Sequence, residues 1–313
     1  MSGDPVLTFT NVNVHYPGNV WAVRDVDLQV DAGECVALVG ESGCGKTTLA
    51  RAALGLLPKG ARVMGSIRIG EIEVVGASRQ VLRRLRGLVA GYVDQDPYAA
   101  CDPLRRVEHH VVEAWRVHGF TPPTNAVTGS LARLGIPDPA HRARLYPHQW
   151  SGGMLQRATI AAANVHSPPL IIADEPTSAL DADRAHSTIE ALLSTGAALL
   201  LVSHDIGVVE RHADRVAVLY AGRIVEQGET STVLAKPRHP YTQALLAAIP
   251  QPDGGLPVPL AGNPPSLVDA QPGCLFADRC VFAFDRCRAE TPLLVEGVAC
   301  HMVNMTQPGD RRS

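Results

Sequence analysis

The stretch GESGCGKTT, Gly40 to Thr48, decides the fold that we expect from this sequence. It fits the spacing G-x-x-x-x-G-K-[ST]. An apolar strand pattern, GECVALVG, leads into it, and a helical pattern, KTTLARAALGLL, follows it. Glycines let backbone N–H groups turn inward around phosphates, and the N-terminus of the following helix adds positive potential. The stretch therefore predicts a phosphate-binding loop (the P-loop) in an α/β protein.

The side chains of the P-loop suit a nucleotide with a bound magnesium ion. Lys46 can reach the β- and γ-phosphates, and the Thr47 hydroxyl can ligate Mg²⁺. We expect ATP to be bound by the loop residues Gly40, Ser42, Gly43, Gly45, Lys46, Thr47 and Thr48.

A second phosphate element is expected later in the chain, as an apolar strand that ends in an acid. The stretch PPLIIADEPTSALD, residues 168–181, has this form. Asp174 ends the strand, where it can hold Mg²⁺ through water, and Glu175 can polarise an attacking water. An acid at a strand end is common by itself, but together with the P-loop it predicts hydrolysis of the nucleotide.

The stretch SGGMLQR, Ser151 to Arg157, opens another helical pattern. Ser151 is a good N-cap, and Gly152 and Gly153 leave the backbone amides open. Two interpretations stand side by side. One is an ordinary capped helix, and the other is a second helix end that binds an anion.

Composition limits the class of protein. The 313 residues are 46% apolar and 19% charged, with a net charge of −3, which is ordinary for a globular protein and gives nucleic acid little attraction. The N-terminus has no basic segment followed by an apolar run. No stretch approaches the ~18 apolar residues of a membrane span. We expect no signal peptide, no membrane crossing and no nucleic-acid partner.

The remaining patterns predict the architecture. Alternation and apolar runs predict strands in VLTFTNVNVHY, DVDLQVDAG, GSIRIGEIEVVG, LIIAD, AALLLVS and RVAVLYAGRIVEQG. Helical spacing marks RRVEHHVVEAWRVHG, SGGMLQRATIAAANVH, DADRAHSTIEALLSTG and IGVVERHAD, and the helix after the P-loop should stop at Pro58. We expect an α/β core with a helical insertion over about 96–165 and a Pro-, Gly- and Cys-rich appendage after about Lys236.

Together these motifs resemble the ATP-binding subunits of ABC transporters, over about residues 5–235. GESGCGKTT, SGGMLQ, LIIADE and SALD match the Walker A, signature, Walker B and D-loop motifs of that family, and the D-loop ends at Asp181. Tyr16, Gln95 and His204 match its adenine-stacking aromatic residue, Q-loop glutamine and switch histidine. Trp150 stands where leucine is usual, at a position that we expect to pack rather than catalyse.

The resemblance implies a P-loop NTPase core of the ABC type, with an antiparallel β subdomain, the helical insertion and a small Cys-rich C-terminal extension. It divides the chain into an ATPase domain, 1–235, and an extension, 236–313. Two such domains would pair head to tail, so that Ser151 and Gly153 contact the nucleotide held by the other domain. Gly152 and Asp181 belong to the same nucleotide-binding set.

The resemblance also assigns the catalytic roles. Glu175 would be the general base, His204 would contact the γ-phosphate, and Gln95 would contact Mg²⁺ and water. Thr47 and Asp174 complete the magnesium set. The region after Gln95, about Asp96 to His110, would face the membrane subunits.

The extension holds four of the seven cysteines, spaced C-x5-C-x6-C-x12-C at Cys274, Cys280, Cys287 and Cys300. The odd cysteine count argues against a disulfide framework, and four thiolates in a reducing compartment can hold zinc or a [4Fe–4S] cluster. The gaps are longer than those usual for zinc. Cys35, Cys44 and Cys101 are assigned to no metal.

The stretches RHPYTQALLAAIP and GCLFADRC resemble the C-terminal extension of dipeptide and oligopeptide import ATPases. This resemblance favours a [4Fe–4S] cluster, with zinc and a metal-free tail as alternatives. The appendage has little apolar material for a core. We therefore expect a structural cluster that ties together only its own segment, about 274–300.

These observations predict the ATPase subunit of an ABC importer of di- or oligopeptides, peripheral on the cytoplasmic face of the membrane. ATP-driven pairing with a second, related ATPase subunit would drive two permeases, which take cargo from an extracytoplasmic binding protein. Importers of nickel chelates, glutathione or other small solutes are alternatives with the same machinery. A soluble ABC ATPase without a transport role is the alternative from another class.

Overall fold

Two β-sheets frame the chain in the computed structural model, which describes residues 5–178, 180–249, 259–268 and 272–304. The strands, in chain order, are β1 (Pro5–Tyr16), β2 (Val20–Asp31), β3 (Cys35–Val39), β4 (Arg62–Ile69), β5 (Ile72–Glu73), β6 (Ala90–Val93), β7 (Leu170–Asp174), β8 (Ala198–Val202), β9 (Arg215–Tyr220) and β10 (Arg223–Glu229).

Helices lie between the strands and after them. In chain order they are α1 (Lys46–Ala53), α2 (Arg79–Leu88), α3 (Val107–Val117), α4 (Ala126–Arg133), α5 (Pro139–Arg142), α6 (Gly152–Ala163), α7 (Ala182–Leu193), α8 (Ile206–His212), α9 (Thr230–Ala235), α10 (Pro240–Ala247), α11 (Asp285–Ala289) and α12 (His301–Asn304). None of the helices in the described ranges is long and apolar enough to cross a bilayer.

The larger sheet has the order β10-β9-β3-β8-β7-β6, and the smaller one has the order β2-β1-β4-β5. The smaller sheet is antiparallel, whereas the larger is parallel except for the β9–β10 hairpin. Because the carboxyl ends of parallel strands meet at one edge of a sheet, the segments after β3, β7 and β8 converge there. These segments are the P-loop, Glu175 and the stretch Ser203–His204.

The core explains why the apolar runs form central strands. Every residue of β3, β7 and β8 is buried, as expected for parallel strands that are covered on both faces. Leu38 and Leu200 of the larger sheet pack in one cluster with Leu7 and Phe9 of the smaller sheet and Leu49 of α1. The two sheets therefore share a single core around α1.

The helical insertion has a core of its own. Val111 of α3, Leu131 of α4 and Leu155 of α6 are fully buried and pack with Trp150. Trp150 is 3% exposed, and its indole N–H donates to the Arg142 carbonyl oxygen at 3.2 Å. Burial at this position confirms that the residue in front of the signature packs in the core.

Some elements differ from the prediction. The helix α1 ends at Ala53, ahead of Pro58, because the chain turns at Gly55, which has φ +61°. The patterns did not predict α2, α4, α5 or β6. Only Leu85 of α2 is buried, and β6 has four residues, so that neither element carries a strong periodic signal.

The apolar residues of the extension pack against the larger sheet. Tyr241 of α10 and Phe276 are buried against Val216, Val218 and Tyr220 of β9. The appendage thus completes its small apolar core with residues of β9, and it does not stand apart from the rest of the chain. The boundary near residue 235 stays a prediction.

We expect Leu200→Ala to lower the free energy of unfolding by about 2–5 kcal/mol, because it opens a cavity in a fully buried central strand. Leu104→Ala is the matched control, since Leu104 is 85% exposed and its loss should change stability by less than about 0.5 kcal/mol. Urea unfolding of both variants measures the difference. Equal stabilities would contradict the described core.

Candidate nucleotide-binding site

The backbone of the P-loop is packed too closely for side chains at two of its glycines. Gly40 and Gly45 have φ of +149° and +110°. A Cβ at Gly40 would lie 2.1 Å from the Leu219 carbonyl oxygen, and one at Gly45 would lie 2.4 Å from that of Ala22. Only glycine fits either position, which accounts for the motif in this fold.

Lys46 is folded back into the loop. The residue is 4% exposed, and its Nζ donates to the carbonyl oxygens of Gly40 at 2.8 Å and Glu41 at 3.0 Å. The ammonium group is therefore held inside the curve of the P-loop, where a bound phosphate would meet it.

The predicted magnesium residues Thr47 and Asp174 lie together. The Thr47 hydroxyl donates to Asp174 Oδ1 at 2.9 Å, and the Tyr92 hydroxyl donates to Asp174 Oδ2 at 3.1 Å. Burial raises the pKa of Asp174, while the hydrogen bonds from Thr47 and Tyr92 act in the opposite direction. A hydroxyl and a carboxylate are oxygen ligands of the kind that Mg²⁺ prefers, so this pair fits the ion.

Tyr92 is a site residue that sequence reasoning missed. It lies in β6, three residues before Gln95, and no motif marks it. Its ring reaches the end of β7 because β6 and β7 pair in parallel, with Tyr92 opposite Ile172. Tyr92 therefore fixes the second oxygen of Asp174.

The three predicted catalytic residues also meet. Glu175 Oε2 lies 3.3 Å from Gln95 Nε2 and 3.3 Å from His204 Nδ1. Glu175 has φ +48°, a left-handed conformation that costs a non-glycine residue about 1–3 kcal/mol. Its N–H donates to the Val202 carbonyl oxygen at 2.9 Å, so that β8 holds the strained residue in place.

Tyr16 lies beside the P-loop from the smaller sheet. Its hydroxyl is 3.3 Å from Thr48 Oγ1, and its ring is half-buried. The structure thus brings the predicted adenine-stacking residue next to the loop.

The signature and D-loop residues form a second group, at the starts of α6 and α7. Ser151 Oγ accepts a hydrogen bond from the Met154 N–H at 3.4 Å, and Asp181 accepts one from the Arg184 N–H at 3.0 Å. A Cβ at Gly153 would lie 3.9 Å from the Arg184 side chain, so that the two helix ends adjoin, and one at Gly152 would meet open space. Ala179 of the SALD stretch lies outside the described residues.

One small cavity of about 20 Å³ is lined by the four cysteines of the extension, Cys274, Cys280, Cys287 and Cys300, together with His239, His301 and neighbouring aromatic and apolar side chains. Burial, and then the nearby thiols, raise the pKa of Cys274 to about 11. In the described part of the chain, no group of three or more Cys, His, Asp or Glu side chains has the spacing of a metal site. The donor set suits a soft metal in its chemistry, but the thiols would have to move to bind one.

The expectation that the cysteine segment ties together only itself is wrong. Arg279, between Cys274 and Cys280, pairs with the carboxylate of Glu41 in the P-loop, at 2.8 and 3.0 Å. The two residues are 238 positions apart in the sequence, and no local pattern indicates a contact over that distance.

Comparison with known proteins identifies the family. Residues 23–178, which contain the P-loop, Gln95 and Glu175, match the family described as "ABC transporter". The dipeptide transport ATP-binding protein DppD of Bacillus subtilis is 40% identical over 291 residues, covering 88% of this chain and 87% of that protein. The chain belongs to the ATP-binding subunits of ABC transporters.

The C-terminal part of the chain assigns it to a branch of this family. Residues 225–287 match the family described as "Oligopeptide/dipeptide transporter, C-terminal region", as the extension predicted. The oligopeptide transport ATP-binding protein OppD of Mycobacterium tuberculosis is 40% identical over 95% of this chain, but the chain spans only 51% of that protein's length.

A solved structure confirms the fold. The dimeric ATP-binding cassette MJ0796, in a post-hydrolysis state bound to ADP and Pi, superposes with a TM-score of 0.62 and 25% identity. The similarity covers 72% of this chain and 98% of that one. The predicted α/β cassette with an antiparallel β subdomain is therefore the fold of this family.

Lys46→Ala should weaken ATP binding at least about 10-fold, because a hydrogen bond to a charged group contributes about 1.5–3 kcal/mol. Lys59→Ala is the control, since Lys59 is exposed outside the loop. Titration with a fluorescent ATP analogue measures both affinities. If both variants bind as the unchanged protein does, this loop is not the nucleotide site.

Proposed function

We propose that the protein hydrolyses ATP to power the import of di- or oligopeptides. The observation that carries this proposal is the meeting of Glu175, Gln95 and His204 next to the Thr47–Asp174 pair. The C-terminal region of the same chain matches the family of oligopeptide and dipeptide transporter C-terminal regions. The names of the relatives support a peptide as cargo, and importers of nickel chelates, glutathione or other small solutes remain the second candidates.

The site residues divide the chemistry among them. Lys46 and the amides of Gly40, Ser42, Gly43, Gly45, Thr47 and Thr48 would bind the phosphates, and the ring of Tyr16 would stack on adenine. Thr47, Asp174 and Gln95 would hold Mg²⁺, which neutralises phosphate charge. Glu175 would accept the proton of the attacking water, with His204 at the γ-phosphate.

The second group of residues would act on another subunit. Ser151, Gly152, Gly153 and Asp181 lie at the starts of α6 and α7. We propose a second ABC ATPase as this partner, in a heterodimer. Pairing would then complete each ATP site from both chains.

The helical insertion would pass the movement to two permeases. The region 96–110 that follows Gln95 carries Leu104, which is 85% exposed. An open groove of about 360 Å³ lies beside it, lined by Leu104, Arg105, Arg106, His109, Arg116 and Tyr146. Leu104 and this groove are the part of the insertion that we propose contacts the permeases. An extracytoplasmic binding protein would deliver the peptide to the permeases.

For the extension we propose a [4Fe–4S] cluster held by Cys274, Cys280, Cys287 and Cys300, with Zn²⁺ as the alternative. The support is that all four thiols line one cavity and that thiolates are the usual ligands of both groups. The role proposed for the cluster is structural.

Glu175→Gln should keep ATP affinity but slow hydrolysis at least about 100-fold, because an amide cannot take the proton of water. Glu190→Gln is the control, since Glu190 is exposed on α7. Phosphate release and uptake of a labelled tripeptide by cells that carry each variant measure the two consequences. Normal turnover in Glu175→Gln would show that Glu175 is not the general base. Normal hydrolysis by the unchanged protein without any peptide uptake would remove the peptide as cargo.

Anaerobically purified protein should be brown and should contain about four irons per chain. Cys280→Ser should bleach it, because a hydroxyl is a poor substitute for a thiolate, while Cys101→Ala, in the helical insertion, should keep the colour. Absorbance and metal analysis decide. One zinc per chain in colourless protein would favour the alternative, and a metal-free protein whose extension resists protease would refute both.

A further inference from the structure

Glu41 of the P-loop is held at three points. Its N–H donates to the Tyr241 hydroxyl at 2.9 Å, and its carbonyl oxygen accepts from Lys46 Nζ at 3.0 Å. Its carboxylate receives both terminal nitrogens of Arg279, at 2.8 and 3.0 Å. Two of these three contacts come from the C-terminal extension.

The Arg279 guanidinium is itself fixed. Its side chain is 5% exposed, and its Nε donates to the Ala261 carbonyl oxygen at 2.8 Å. The guanidinium also lies 5.8 and 5.9 Å from the ring centroids of Tyr220 and Phe276. A buried arginine that makes two parallel hydrogen bonds to a carboxylate fixes the orientation of that carboxylate and also neutralises its charge. The arginine can therefore hold Glu41 in one orientation.

The charge of Glu41 explains why such a contact is needed. A carboxylate in the P-loop stands next to the place where the triphosphate would bind, and like charges at short range repel. Pairing with Arg279 neutralises the carboxylate and keeps it turned toward the extension.

We propose that Arg279 is a positioning residue of the nucleotide site: it neutralises and orients Glu41, so that the extension sets how tightly the P-loop binds ATP. This inference rests on the proposed binding of ATP by the P-loop. Arg279 ends the 3-10 turn Ala277–Arg279, and the Cys274 N–H donates to the Cys287 carbonyl oxygen at 2.7 Å nearby. Arg279 thus connects the cysteine segment directly to the P-loop.

Arg279→Ala should weaken ATP binding about 10-fold, as expected for the loss of a charge-assisted hydrogen-bond pair. Adding Glu41→Gln to that variant should recover most of the affinity, because the unpaired charge is removed. Arg279→Lys, which keeps the charge but not the two-pronged contact, should lie between. Arg288→Ala is the matched control, since Arg288 pairs with Asp278 within the same segment and should bind ATP normally.

The full-length variants are titrated with a fluorescent ATP analogue, and the KM and kcat of hydrolysis are compared. KM should rise while kcat stays near that of the unchanged protein, since Glu175, Gln95 and His204 are untouched. Normal affinity in Arg279→Ala would overturn the inference. Equal weakening in Arg279→Ala and in the double variant would also overturn it, because the arginine would then act only on stability.

The same titration separates this inference from the proposed function. If the unchanged protein binds no ATP, the proposed function fails. Suppose instead that the unchanged protein binds ATP, that Lys46→Ala binds it weakly, and that Arg279→Ala binds it normally. Then only the role proposed for Arg279 fails. If Arg279→Ala does not fold, the comparison of Arg279→Lys with its own Glu41→Gln double variant gives the same decision.

Discussion

The P-loop packs its backbone directly against two strands, and the rest of the site depends on this contact. Gly40 lies against Leu219 of β9 and Gly45 against Ala22 of β2, with no room for a Cβ at either position. One strand belongs to each sheet, so that the loop is held where the two sheets meet. Residues of both sheets and of α1 pack in one hydrophobic core beside that junction. A loop fixed in this way can present its amides without paying for their ordering when a phosphate arrives.

Three carboxylates lie in or near this loop, and each accepts hydrogen bonds or ion pairs from donors in other parts of the chain. Asp174 and Glu175 stand at the end of β7, whereas Glu41 stands in the loop itself. A nucleotide adds further negative charge, so every acid near it must be paired, hydrogen-bonded or bound to a cation. The donors belong to α1, β6, the Q-loop, the turn after β8 and the extension: Thr47, Tyr92, Gln95, His204 and Arg279.

Local spacing explains how much of this was predictable from the sequence. Thr47 lies in the motif after one apolar strand, and Asp174 and Glu175 lie at the end of another. The structure brings Thr47 and Asp174 into hydrogen-bond contact, as these motifs indicate. Tyr92 and Arg279 carry no such signal, because one lies in a four-residue strand and the other in a tail without periodicity. Their importance comes only from tertiary contacts, which span 82 and 238 residues. The cysteines were visible as a group, yet their link to the P-loop was not.

The clamp on Glu41 has a consequence for the order in which the protein is made. A chain grows from its N-terminus, and its domains begin to fold during synthesis. The P-loop and both sheets are complete once β10 has emerged, at Glu229. Tyr241 and Arg279 follow later, so the ribosome must add about fifty more residues before Glu41 gains its last two contacts. Synthesis itself therefore delays the last contact of Glu41 until the chain has grown past Arg279, and a product that ends before that residue would leave the ribosome with its P-loop unclamped.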